Sequence, residues 1–528
     1  MLFSTWNLCG SIAVTVVMSV FFTMVSVRQC GILQQLHYNG KKCLSWLRRK
    51  DNMFYNRLSM YAFLSLMLYL VIALCFLFVS DYADAVFMLA ILPLILFSIL
   101  DLLSEKSHAL KVKTVFTARM KRLLAVELVL WLLVLFGITT GMNALAIAVD
   151  HVIFSAMRYL PVTLLPFCLP YAVLLANRLD ALYEKPHNAK FIRKAGQKLA
   201  AADVCKIGIT GSYAKTGVKK ILATILSEKF RVIASPESFN TPMGIARCIH
   251  ESDFTGADVF IAEMGARRVG DIRELCELVQ PQYGIITAVC PQHIETFGDV
   301  ESIRVTKGEL LDYAKETVVA GDLVSMYPQG IPCADYKDVQ SDICGTSFTL
   351  TLAGKEYRVQ TVLLGEGSAK NVALAATLAM RMGMTAEEVL CGIAKIKPAE
   401  HRLEKIESNG ITIIDDAYNA NPEGAKNAIR LLSTASGRKV IVTPGLIELG
   451  VLSEEENAKL GERLVGLDLV IVVGDTLASV IRTGYKNAGG DESRFFLCPT
   501  LEEAKKKLHS LLQTGDTVLF LNDLPDAF

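Results

Sequence analysis

Apolar residues are bunched in the first third of the chain, and the pattern changes character near residue 178. Five stretches, 7–27, 58–80, 85–103, 123–148 and 153–177, are long and apolar enough to cross a hydrocarbon layer of about 30 Å as helices of roughly 20 residues. A polar, basic connector follows at 178–204. Beyond it the apolar runs shorten and alternate with helical patterns. Lys206-Ile207-Gly208-Ile209-Thr210 reads as a buried strand entering a glycine-containing turn and a helix, with further strands expected at 257–262, 284–289 and 317–320 and helices at 270–279 and 301–315. A second alternating set begins near 410, with strands at Ile411-Thr412-Ile413-Ile414, Lys439-Val440-Ile441-Val442, 469–473 and 517–520. A helix around 370–395 ends at the Lys397-Pro398 step, which sets a boundary close to 400.

This pattern predicts a multi-pass α-helical membrane region (1–177), the connector, and two α/β domains (205–400 and 401–528). Strands alternating with helices imply a mostly parallel sheet covered on both faces.

Composition sharpens this picture. The 528 residues are 52% hydrophobic with a net charge of +1, so there is apolar surface beyond ordinary cores and no case for nucleic acid as a partner. The first apolar stretch has no basic flank, has a long apolar run and precedes four more, so it reads as an anchor rather than a signal peptide. Basic residues fill the 28–57 and 104–122 segments and are missing from 1–6, 81–84 and 149–152. Lys and Arg are retained on the cytoplasmic side, so the N-terminus is expected outside the inner membrane and everything after 177 in the cytoplasm. Arg158, near the outer end of the last span, reads as a snorkelling side chain. The thirteen cysteines are scattered, with no C-x-x-C and no histidine at metal spacing, which points to free thiols in a reducing compartment.

The chemistry concentrates where the first strand meets its helix. In Thr210-Gly211-Ser212-Tyr213-Ala214-Lys215-Thr216, successive backbone N–H groups and a helix N-terminus can hold phosphate oxygens. Lys215 would reach the β- and γ-phosphates and the Thr216 hydroxyl would ligate Mg²⁺. Ala214 stands where a phosphate loop normally has glycine, and its methyl penalises positive φ. Glu263 and His293 follow the next strands at their C-terminal ends, the edge where open α/β sheets bind ligands, and suit metal ligation beside transferring phosphate.

Gly208 through Thr216, Glu263-Met264-Gly265-Ala266, the stretch from His293 to Gly298, Lys307-Gly308-Glu309, His401-Arg402-Leu403-Glu404 and 415–422 together resemble the Mur ligases over roughly 205–475. The resemblance implies an ATP- and Mg²⁺-dependent, ADP-forming ligase of cell-wall (peptidoglycan) precursors that activates a carboxylate as an acyl phosphate for attack by an amino acid or dipeptide. It also implies a P-loop mononucleotide-binding parallel sheet domain followed by a second, Rossmann-like α/β domain. It assigns Gly211, Ser212, Lys215 and Thr216 to phosphate, Asn371 to adenine, Arg402 to phosphate and Asp416 to ribose. It assigns Thr216, Glu263, His293 and a carbamylated Lys307 to the metal ions, with Lys215, Lys307 and His293 as the catalytic groups.

Ala214, Gly367-Ser368 in place of the family's His-Asn pair, and a C-terminal Leu521-Asn522-Asp523-Leu524-Pro525-Asp526 in place of a Lys-Gly-Ser-Arg type segment depart from the pattern. The membrane bundle occupies the place of the family's UDP-sugar domain, so a lipid-held cell-envelope precursor is an expected substrate. A catalytically impaired, membrane-tethered ATP-binding scaffold or regulator is the alternative reading, and an ATP-driven transporter is a third.

Overall fold

In the computed structural model the described residues are all but 1, 49–52, 76–86, 88, 90, 94, 97–98, 101–113, 150–156, 158, 237–238, 292–293, 419–420, 448 and 523–528. The chain divides into two compact units, Met1–His187 and Asn188–Leu524.

The first unit is helical: α1 (Leu2–Gln35), α2 (Gly40–Leu47), α3 (Met53–Cys75), α4 (Ala118–Val149) and the start of α5 (Leu169–Ala201). Four helical stretches, Ile12–Gln35, Arg57–Cys75, Ala118–Val149 and Leu160–Ala201, are long and apolar enough to cross a membrane. The stretch expected at 85–103 falls largely outside the described residues, as does Arg158. Val17, Met24, Val71, Leu133 and Ile147 are exposed, as side chains facing lipid would be. The inner faces carry polar pins. Thr15 and Thr139 hydroxyls meet at 3.1 Å, and buried Glu127 accepts from Trp131 Nε1 at 3.3 Å and from Cys30 Sγ at 3.8 Å. The hydropathy pattern hides Glu127, because one carboxylate barely lowers the average of so apolar a segment.

One element differs from the sequence reading: α5 continues to Ala201, so the segment expected to be a connector is helical over most of its length. Its Leu, Ala, Lys, Arg and Glu residues are strong helix formers, and Pro186 is accommodated inside the helix.

The second unit holds the α/β domains. In chain order these are β1 (Cys205–Thr210), α6 (Lys215–Leu226), β2 (Val232–Ala234), α7 (Pro242–Glu251), β3 (Val259–Glu263), α8 (Asp271–Val279), β4 (Tyr283–Ile286), α9 (Val300–Gly308), β5 (Glu316–Val319) and β6 (Ile331–Pro332). All pairings in this sheet are parallel, in the order β2-β3-β1-β4-β5-β6. Its inner strands β1, β3, β4 and β5 are largely buried apolar runs because helices cover both faces. The expected helix at 301–315 is α9 followed by a 3₁₀ turn, Glu309–Asp312.

Next comes a three-stranded antiparallel sheet, β7 (Tyr336–Asp342), β8 (Gly345–Leu352) and β9 (Lys355–Thr361), which the sequence reading missed. The helix expected around 370–395 is two helices, α10 (Gly367–Arg381) and α11 (Ala386–Ala394). Gly383 takes positive φ between them, and Thr385 with Glu388 forms a capping box that starts the second.

The last domain contains β10 (Glu404–Ser408), β11 (Ile411–Asp416), α12 (Pro422–Ser433), β12 (Lys439–Thr443), α13 (Ser453–Arg463), β13 (Leu469–Val473), α14 (Ala478–Asn487), β14 (Phe495–Cys498), α15 (Leu501–Leu511) and β15 (Thr517–Leu521). Its sheet order is β10-β11-β15-β12-β13-β14, parallel except for the β10 edge. One side of this sheet packs Ile414, Ile441, Val470 and Leu519 into a core that also takes Leu364, contributed from before α10.

Candidate active site

The loop between β1 and α6 is held by the residues that follow β4. Ser212 N–H donates to Ala288 O at 2.8 Å, Thr287 N–H donates to Thr210 O at 2.9 Å, and the Thr287 hydroxyl donates to Tyr213 O. Gly211 has φ +151°, and a Cβ there would strike Thr287 Oγ1, so only glycine fits. Ala214 takes the left-handed conformation (φ +65°) directly before α6. The glycine-like backbone of a phosphate loop is therefore kept, at a cost of about 1–2 kcal/mol for an L-residue.

Lys215 is half-buried and donates to Gly211 O at 2.8 Å, folded back on the loop. Burial lowers its pKa, and Glu263 opposes that shift. The Thr216 hydroxyl donates to Glu263 Oε2 at 2.9 Å, so two of the residues expected to share a metal ion do meet. A third group, which the sequence reading missed, joins them. The Lys219 ammonium lies 3.0 Å from the same Glu263 oxygen, with both side chains almost fully buried. Burial raises the Glu263 pKa, but Lys219 and Lys215 outweigh it and hold the carboxyl below its usual value. Lys219 sits one helical turn after Thr216, and that spacing within α6 was the available signal.

Lys307, at the end of α9, is buried, and its pKa is pushed well down by that burial and by Lys215, against the pull of Asp271 and Glu309. Its neighbour Glu309 caps α8, accepting from Gly270 and Arg273 N–H groups at 2.8 Å each. His293 lies outside the described residues, as do Asn419 and Ala420 of the 415–422 motif.

Arg402 and Asp416, from the last domain, line one cavity of about 660 Å³ together with Tyr213, Ala214, Lys370 and Asn371, a volume suited to a small-molecule ligand. Asn371 Oδ1 is buried there with no hydrogen-bond partner among the described residues, an orphaned acceptor that an amino group of a ligand would satisfy. The Arg402 guanidinium stacks on the Tyr418 ring, 4.2 Å from its centre. Asp416 accepts from Leu403 N–H at 3.2 Å, and burial pushes its carboxyl up to about 6 despite Arg402. The loop carrying Arg402 is shaped by His401, whose Nδ1 meets Asp415 Oδ2 at 2.7 Å and whose N–H donates to Glu404. Gly367 and Ser368 also face the cavity, and Ser368 turns its hydroxyl to Leu364 O.

Residues 209–326 match the Mur ligase middle domain, and residues 401–522 match the Mur ligase glutamate ligase domain. Relatives include the UDP-N-acetylmuramoyl-tripeptide–D-alanyl-D-alanine ligases of Mycobacterium bovis, 29% identical over 54% of this chain, and Bacillus subtilis, 28% identical over 60%. The matched region spans 61% of the Mycobacterium protein's length and 72% of the Bacillus protein's. Among solved structures, MurF ligase from Thermotoga maritima in complex with ADP superposes with a TM-score of 0.58 at 27% identity, covering 64% of this chain and 81% of that one. MurF from Acinetobacter baumannii has the same fold, with a TM-score of 0.58 at 23% identity over 64% and 78% of the two chains. The chain therefore carries the middle and C-terminal domains of the Mur ligases.

Proposed function

We propose that this protein is an ATP-dependent, ADP-forming amide ligase of peptidoglycan-precursor metabolism, anchored in the cell membrane with its ligase domains in the cytoplasm. The observation that carries the reading is that Tyr213 and Ala214 of the phosphate loop, Asn371, Arg402 and Asp416 line one cavity built from both ligase domains. Asn371 Oδ1 suits the adenine amino group, Asp416 the ribose hydroxyls, and Lys215 and Arg402 the phosphates. Thr216 and Glu263 offer oxygen ligands to Mg²⁺, which when bound neutralises the transferring phosphoryl group. His293 is the further metal ligand that this reading assigns.

A carboxylate at neutral pH is a poor electrophile. Phosphoryl transfer turns it into an acyl phosphate, and the amine then displaces phosphate. Lys215 offsets the negative charge that develops on the phosphoryl oxygens, while closure of the two domains excludes water. Burial and the nearby Lys215 charge lower the Lys307 pKa, which favours the uncharged amine that can take up CO₂. Carbamylation of that amine would release a proton and place an anionic oxygen beside Lys215, a group suited to Mg²⁺.

The finer substrate reading is an acceptor amino acid or dipeptide of the D-alanyl-D-alanine kind, with a precursor delivered at the inner leaflet. Four apolar helical stretches joined through α5 to the catalytic unit support it, because confinement near the bilayer raises the effective concentration of a membrane-held substrate. The test is acceptor-dependent release of ADP and phosphate by the full-length protein in lipid, given UDP-linked or lipid-linked precursor. No acceptor-dependent turnover on either would refute the ligase. Equal turnover on both would remove the lipid preference. Reporter fusions after residues 40, 82, 112, 150 and 200 should report in, out, in, out, in, and an outside signal at 200 would sink the cytoplasmic assignment.

A further inference from the structure

The cavity contains a cation that the Mur ligase resemblance leaves without a role. Lys370 stands on the first turn of α10, next to Asn371, with its side chain only 14% exposed. Its ammonium donates to the Tyr213 hydroxyl at 3.2 Å and lies 5.3 Å from the centre of that ring. Asp322 is beyond hydrogen-bond reach at 3.7 Å and is 61% exposed, so water screens its attraction. Among the described residues Tyr213 is the only hydrogen-bond partner, although an ammonium has three N–H donors. A lysine kept this far from water with donors to spare is suited to an anion.

The surroundings say where that anion would lie. Tyr213 belongs to the phosphate loop itself, between Ser212 and Ala214. Cys290, whose N–H and carbonyl bracket the Ser212 hydroxyl at 3.1 and 3.2 Å, feels three lysines at once. Burial raises its thiol pKa, and Lys215, Lys370 and Lys307 pull it back. Lysine side chains from α6, α9 and α10 therefore lie near the same loop.

We propose that Lys370 is a further binding residue for the nucleotide's polyphosphate, with Tyr213 as the positioning residue that holds its ammonium over the loop. This rests on the nucleotide reading above and adds to it a contact that the Mur ligase resemblance does not assign. Binding of adenosine, ADP and ATP to the full-length protein in lipid nanodiscs, at low and high salt, tests it. Lys370→Met keeps the length of the side chain and should weaken ADP and ATP about tenfold while leaving adenosine affinity unchanged. It should also flatten the salt dependence of ADP binding, which a merely structural role would not do. Lys370→Arg should recover most of the affinity, and Tyr213→Phe should weaken ADP by a smaller factor with an unchanged melting temperature. Equal ADP affinity in wild type and Lys370→Met, or an equal loss for adenosine and ADP, would overturn the proposal. A wild-type protein with no affinity for any adenine nucleotide would instead overturn the nucleotide reading, and this inference with it.

Discussion

Thr216 and Glu263 are 47 residues apart in sequence, and the threonine hydroxyl donates to the carboxylate across 2.9 Å. The same oxygen faces the Lys219 ammonium at 3.0 Å. The loop is thereby tied to the end of β3 by a buried charge pair, so the group suited to metal ligation also holds the fold.

Glu263→Gln is expected to destabilise the protein by about 3–5 kcal/mol, because it leaves Lys219 buried and unpaired. Adding Lys219→Met should restore a substantial part of that loss. Urea unfolding of the two single variants and the double variant measures the coupling, and additive losses would contradict a direct pair.

Lys215→Ala removes the loop's folded-back cation. Loss of charge-assisted hydrogen bonds of about 1.5–3 kcal/mol should weaken Mg²⁺-dependent ATP binding roughly tenfold or more. Calorimetric titration gives the number, and unchanged affinity would remove the loop's assignment.

Ala214→Gly exchanges a left-handed alanine for the residue that adopts this backbone freely. Relief of about 1–2 kcal/mol exceeds the roughly 0.5–1 kcal/mol of extra unfolded-state entropy, so the variant should be slightly more stable. Ala223→Gly in the middle of α6 should instead cost about 1 kcal/mol. Denaturation midpoints compare the two.

Asp416 has its carboxyl raised to about 6 by burial. Its folded-state pKa exceeds the unfolded one, so its contribution to stability is present below pH 4 and is lost as pH rises through 6. Asp416→Asn should therefore raise the melting temperature at pH 8 and leave it nearly unchanged at pH 3.5. Nucleotide affinity should move the other way, falling in wild type as pH drops below 6, because hydroxyl donors need the ionised carboxylate. A pH-independent affinity would separate Asp416 from the ligand.

The parallel strands were legible because helices on both faces make them unbroken apolar runs, as in Ile207–Ile209 and Leu469–Val473. The antiparallel β7–β9 sheet was not, because β7 and β9 are largely exposed and carry Lys337, Asp338, Glu356 and Arg358, which mask their alternation. At the site, the motif residues Lys215, Thr216, Glu263, Arg402 and Asp416 could be named from order and spacing. Lys219 and Lys370 could not, because a lysine on a helix ordinarily reads as solvated and only packing shows that these two are buried.

The cavity walls come from chain segments on both sides of residue 400, while the apolar interiors of the two domains are largely separate, with Leu364 crossing into the second. A ligand filling that space becomes part of the contact between two bodies that could otherwise melt independently. At a concentration of 100 times its Kd it adds about 2.7 kcal/mol to their joint stability. Heat-capacity scans should then show two endotherms drawing together as nucleotide is added, so that the bound ligand sets the size of the cooperative unit.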